Sequence, residues 1–109
     1  MTTIMQGDSY PIPITLHQDG VILKPFMIED LEVCVGDNLR KTFLSNGVFF
    51  NEETMQWTFR LSQQDTFSMD EGVHDVYVRI KYLGQPESDV HGERIDRIRV
   101  IAGKSREVL

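Results

Sequence analysis

An all-β, antiparallel architecture is what this 109-residue chain predicts, and three observations carry that prediction. Apolar residues alternate with polar residues or prolines in several short runs, the period-two signature of a strand with one face buried. Turn residues such as Asp19-Gly20, Gly36-Asp37-Asn38, Ser45-Asn46-Gly47 and Gly84-Gln85-Pro86 punctuate those runs at short intervals. No segment sustains the 3.6-residue apolar period of a long helix.

Taken in order, Thr2–Met5 is a short first strand and Gln6-Gly7-Asp8 supplies a turn or bulge. Tyr10–Gln18 follows as one strand, with Tyr10, Ile12, Ile14 and Leu16 facing a core. In a strand the N–H and C=O of one residue point to the same side, and that side alternates along the chain. Pro11 and Pro13 therefore lack donors on a common side, where no neighbour can pair fully. This is an edge strand closed against strand addition. Asp19-Gly20 tolerates the positive φ of a two-residue hairpin turn, and Val21–Leu23 returns until Pro25 stops it.

Phe26–Asp30 reads as one loose helical turn, and Leu31–Val35 alternates again with Leu31, Val33 and Val35 inward. Leu39–Leu44 is a weaker strand, Val48-Phe49-Phe50 another, and Asn51–Thr54 a polar connection. Gln56–Leu61 places Trp57, Phe59 and Leu61 on one face. Ser62, with an acid three residues on at Asp65, caps a short helical turn through Phe67. Val76–Tyr82 is the strongest strand, and Glu93–Ile101 returns beside it with a bulge between Ile95 and Ile98, where the period breaks. Seven or eight short strands result. Their number, spacing and the chain length fit an antiparallel immunoglobulin-like β-sandwich best, with a small barrel as the alternative.

The chain reads as a single domain, 1–109, with 103–109 a C-terminal tail. Hydrophobic residues at 40% suit a globular core, and the lone Cys34 excludes an internal disulfide. No stretch approaches the roughly 18 apolar residues of a membrane helix. Met1–Gln6 lacks the basic and apolar regions of a Sec signal, so the expected compartment is the cytoplasm of the producing cell. Net charge is −6 but uneven: residues 1–75 hold 12 acids against 4 bases, and 76–109 hold 5 acids against 7 bases. Arg94, Arg97 and Arg99 lie close together, yet an acidic chain repels phosphate backbones. They are expected to pair with Glu93, Asp96 and the acidic first part, and no nucleic-acid partner is expected.

Candidate chemistry is sparse. His17, His74 and His91 are not spaced as ligands on one element, and Cys34 joins no CxxC pair. Cys34 shares a face with Glu32 but has no local base. Gly7-Asp8-Ser9 lacks the GxSxG elbow, and no phosphate-cradling glycine loop occurs. The acids Glu29/Asp30, Glu52/Glu53 and Asp70/Glu71 sit in turn-like segments; Asp70-Glu71-Gly72 with Asp75 is a weak calcium pattern. Neither a catalytic residue, a cofactor nor a metal site is expected. The Phe49-Phe50 pair differs, because adjacent strand residues face opposite ways and one of the two must point outward. Phe49 and Phe50 are the candidate interface residues.

The order of these motifs also resembles a family. Gln6-Gly7-Asp8, then Tyr10–Ile14 and the Asp19-Gly20 hairpin, look like the start of small prophage-encoded tail and baseplate proteins of Gram-positive bacteria, such as the N-terminal module of baseplate upper proteins. Ile28–Val33 with Val35-Gly36, and Trp57–Phe67, are similar to uncharacterised phage proteins of this kind. The second of these also resembles the corner between strands E and F of immunoglobulin-like domains. The resemblance implies a non-enzymatic virion module that binds other tail components and assembles in several copies, including as a homo-oligomer. A carbohydrate-binding or adhesive module is the alternative.

Overall fold

The computed structural model describes residues 1–84 and 90–109. Gln85 and Pro86 of the expected turn, with Glu87 and Asp89, lie outside the described residues. Strands dominate: β1 (Thr2–Met5), β2 (Tyr10–Ile14), β3 (His17–Gln18), β4 (Val21–Ile22), β5 (Ile28–Val35), β6 (Leu39–Thr42), β7 (Val48–Asn51), β8 (Gln56–Leu61), β9 (Gly72–Tyr82) and β10 (His91–Ile101). One short helix, α1 (Gln63–Ser68), and a 3₁₀ turn at Pro25–Met27 complete the described elements. The strands form a five-stranded sheet, β1-β10-β9-β5-β6, a three-stranded sheet, β2-β8-β7, and the small hairpin β3-β4. The chain is all-β.

Several local expectations are corrected. Ten strands occur among the described residues, more than the seven or eight expected, because two are only two residues long. The pairing is not wholly antiparallel: β1 runs parallel to β10, with Thr2 opposite Ile98 and Met5 opposite Ile101. Tyr10–Gln18 is not one strand. Beyond Ile14, opposite Trp57, the chain leaves β8, and Leu16 accepts from the Leu23 N–H instead. Tyr10 is exposed, since it opens β2 opposite Leu61, the last residue of β8. The turn expected at Phe26–Asp30 starts at Pro25 and ends at Met27, and Ile28-Glu29-Asp30 already belong to β5.

Both sheets close on one buried cluster. Leu31, Val33 and Val35 face it from β5, as expected, and Trp57, Phe59 and Leu61 from β8. Trp57 is fully buried and meets Phe43 and Phe50 edge-on, at centroid distances of 5.5 and 5.3 Å. Its indole Nε1–H donates to the Leu23 carbonyl at 2.9 Å. One side chain thus joins β8, β7, the turn after β6 and the segment after β4.

Two local devices set the ends of the sheets. Gly7, with φ of 96°, lets the chain cross from β1 in one sheet to β2 in the other. The buried Thr66 of α1 fastens that crossing: its Oγ1 accepts from the Gly7 N–H at 2.8 Å and donates to the Asp8 carbonyl at 2.9 Å. Helix α1 carries the expected capping box between Ser62 and Asp65. Asp65 Oδ2 also takes Lys41 Nζ from β6 at 2.8 Å. Burial raises the Asp65 carboxyl, but Lys41 and the Ser62 N–H outweigh it, so the net direction is down. The bulge expected in the last strand lies at Ile95, where the β9–β10 register shifts between Arg94 and Asp96.

Replacing the buried indole should be costly in a graded way. Trp57→Ala is expected to lose about 3–5 kcal/mol. Trp57→Phe keeps the ring contacts but removes the donor to Leu23, at about 1–3 kcal/mol. Urea denaturation checks both; an alanine variant within about 1 kcal/mol of the parent contradicts the packing described.

Candidate functional site

Two outward sheet faces and one cleft gather the side chains that could act. On the three-stranded sheet, strand alternation sends Phe49 out and Phe50 in. Phe49 is 49% exposed, while Phe50 packs on Trp57 and belongs with the core. Thr58 is opposite Phe49 on one side and opposite Pro13 on the other, so the three residues make one row across the sheet. Thr58 is buried between these neighbours. Pro11 lies opposite Arg60 in the next row. β2 is the outer strand here, with β8 its only sheet neighbour among the described residues. Since the Pro11 and Pro13 side chains share a face and their nitrogens share an edge, the residues that close one edge also lie on the outward face with Phe49.

The outward face of the five-stranded sheet is charged. Glu32 stands between Leu31 and Val33 on β5, and pairing with β6 and β9 brings two arginines to it. Arg79 grips it as a fork, Nε to Oε1 at 2.6 Å and Nη2 to Oε2 at 3.0 Å. Arg40 Nε donates to the same carboxylate, sharing Oε2 with Arg79 Nη2. The Arg79 hydrogen bonds, aided by Arg40 and Cys34 and opposed by burial, hold the Glu32 carboxyl down to about 2. Cys34 donates Sγ–H to Glu32 Oε1 at 3.4 Å, and burial together with that bond pushes its thiol up. The thiolate is disfavoured there, which makes Cys34 a poor nucleophile. Further along this face, Asp75 receives Arg97 Nε at 3.2 Å and Arg94 Nη1 at 3.7 Å.

The cleft of about 300 Å³ lies between the β5–β6 turn and the segment from Ser68 to Tyr77. His74 enters it, with Nε2 2.6 Å from the Asp70 carbonyl. His17 is exposed and lines a different depression with Tyr82, and the side chain of His91 lies outside what the structure describes. Asp75, the fourth acid position of the calcium pattern seen in the sequence, is paired with Arg94 and Arg97. Among the described residues no three His, Cys, Asp or Glu side chains converge on a cation position.

Sequence reasoning placed Cys34 beside Glu32 but missed the arginines. Arg40 and Arg79 are 8 and 47 positions from Glu32, and only strand pairing reveals them. The signal available was an acid set within an apolar alternation. Of the arginine trio near the C-terminal end, Arg94 and Arg97 reach Asp75 from the acidic first part, as expected, and the Asp96 carboxylate accepts from the Arg97 backbone N–H.

No family model and no curated protein matches the chain. Among solved structures it is similar to an endo-beta-1,4-mannanase from Thermotoga petrophila, at 13% identity and a TM-score of 0.56. The similarity covers 94% of this chain and 18% of that one, so the chain spans less than a fifth of that protein's length. At this identity the likeness bears on the fold alone.

The Glu32 cluster makes stability depend on acid. A folded value of about 2 against an ordinary 4.5 means the contribution is complete above about pH 4.5 and is lost as pH falls towards 2. Both guanidiniums are more than half exposed, so screening reduces it to about 1–2 kcal/mol. Urea titrations of the parent and Glu32→Gln should show that gap at neutral pH and its closure near pH 2. A gap unchanged by pH sinks the assignment.

Proposed function

We propose that this chain is a non-enzymatic, protein-binding module with an immunoglobulin-like β-sandwich fold, acting as a tail or baseplate component of a phage or prophage virion. The strand order supports the fold assignment. Five strands face three across one core, the first strand lies parallel to the last, and α1 fills the corner between β8 and β9.

The observation that carries the binding role is the row Pro13-Thr58-Phe49 on the three-stranded sheet. A half-exposed phenylalanine set on rigid strands is an anchor of the type that dominates protein interfaces. The mechanism is surface complementarity: the partner covers Phe49 and approaches by the face or by the free edge of the sheet, because the prolines deny it the β2 edge. The resemblance of Gln6–Ile14 and Trp57–Phe67 to prophage tail proteins supplies the biological setting. A glycan-binding reading needs coplanar exposed aromatics. Tyr10, Phe26, Phe49 and Tyr77 project from four separate elements, which favours it less.

Phe49→Ser tests the role. Folding stability should stay within about 0.5 kcal/mol of the parent. Binding to co-encoded tail proteins, or self-association followed by light scattering, should weaken about tenfold or more. A parent chain that is monomeric at high concentration and binds none of those proteins overturns the proposal.

A further inference from the structure

Five of the chain's seven arginines stand on one outward surface. Arg40 comes from β6, Arg79 from β9, and Arg94, Arg97 and Arg99 from β10. Strand register aligns them: one ladder row reads Arg40, Cys34, Tyr77, Arg94, and the neighbouring rows pair Glu32 with Arg79 and Asp75 with Arg97. Glu32 and Asp75 hold four of these guanidiniums, Arg99 stands beside them, and Lys81 next to Glu32 is held by Glu29, in a chain whose net charge is −6. The charge is sorted by surface, and the basic side is a sheet face with half-exposed Tyr77 at its middle.

The two carboxylates do more than offset charge. Each holds a pair of arginine side chains extended over the sheet, so part of the ordering cost of binding is met before a ligand arrives. A guanidinium carries five N–H donors, and Arg79 commits two of them to Glu32 while Arg40 and Arg97 commit one each. Arg99 makes no ion pair among the described residues. The remaining donors belong to side chains about half exposed, and a guanidinium fork matches a carboxylate bidentately. Arginine and tyrosine are also the residues enriched where proteins dock.

We propose that the outward face of the five-stranded sheet docks a carboxylate-rich polypeptide segment of a partner. The occupant is argued from charge complementarity and from the fork-on-carboxylate contacts the face already makes with Glu32. The same forks accept phosphate, and a nucleic acid is the rival occupant that the competitor in the test reads. The proposal shares with the previous reading only that the partner is a polypeptide. It uses the opposite sheet, so its failure leaves the Phe49 role standing.

The test is fluorescence anisotropy of a labelled oligoglutamate peptide against the full chain, with a single-stranded oligonucleotide of matched length as competitor. Oligoglutamate should bind at low salt, weaken steeply towards about 0.15 M salt, and lose about tenfold or more in affinity in the combined Arg94→Ala, Arg97→Ala, Arg99→Ala variant. Arg60→Ala, on the other sheet, should bind like the parent. If the combined variant misfolds by circular dichroism, Arg99→Ala alone should still weaken binding about threefold. Failure of oligoglutamate to bind at low salt overturns the proposal. So does an equal loss in Arg60→Ala, an unchanged Arg99→Ala, or tighter binding of the oligonucleotide.

Discussion

Everything in this fold is arranged around keeping one indole dry. Trp57 occupies β8, the middle strand of the smaller sheet, and the rings of Phe43 and Phe50 close on it edge-on. Its single polar atom is satisfied by the Leu23 carbonyl, which brings the segment after the β3-β4 hairpin against the core. A buried N–H without a partner costs more than the hydrogen bond contributes, so the chain around Leu23 is held where that carbonyl is needed. The five-stranded sheet adds Leu31, Val33, Val76 and Val78 to the same buried cluster.

With the interior committed to packing, the outsides of the two sheets differ in kind. The smaller sheet presents prolines and Phe49, apolar and stiff. The larger presents arginine forks braced by Glu32 and Asp75. Edges divide the same way. Pro11 and Pro13 remove donors from the open side of β2, so that edge resists pairing with another strand. Crossing between the sheets depends on Gly7 and its contacts with Thr66, which makes the short helix after β8 a clasp as well as a connection.

The sequence made the strands legible wherever one face was buried and the other wet. The alternations at Leu31–Val35 and Gln56–Leu61, the Asp19-Gly20 turn, the Ser62–Asp65 capping box and the bulge near Ile95 all follow from local rules. What was not legible is what only distant pairing creates. Parallel pairing of β1 with β10 joins residues nearly a chain length apart. The Glu32–Arg40–Arg79 cluster depends on register across three strands, and alternation alone gave Glu32 no more than an outward direction. Tyr10 shows the converse limit: period two assigns it the core face, yet at the end of β2 it is exposed while Leu61 opposite it is buried.

Trp57 is the chain's one tryptophan, so its fluorescence reports directly on whether a single core closes around it. Emission followed through urea unfolding, beside far-UV circular dichroism, is the decisive measurement. A blue-shifted, quencher-resistant native emission and a fluorescence transition that superimposes on the dichroism transition are expected of one cooperative body. A solvent-like native emission, or fluorescence lost before the strands melt, would contradict the account.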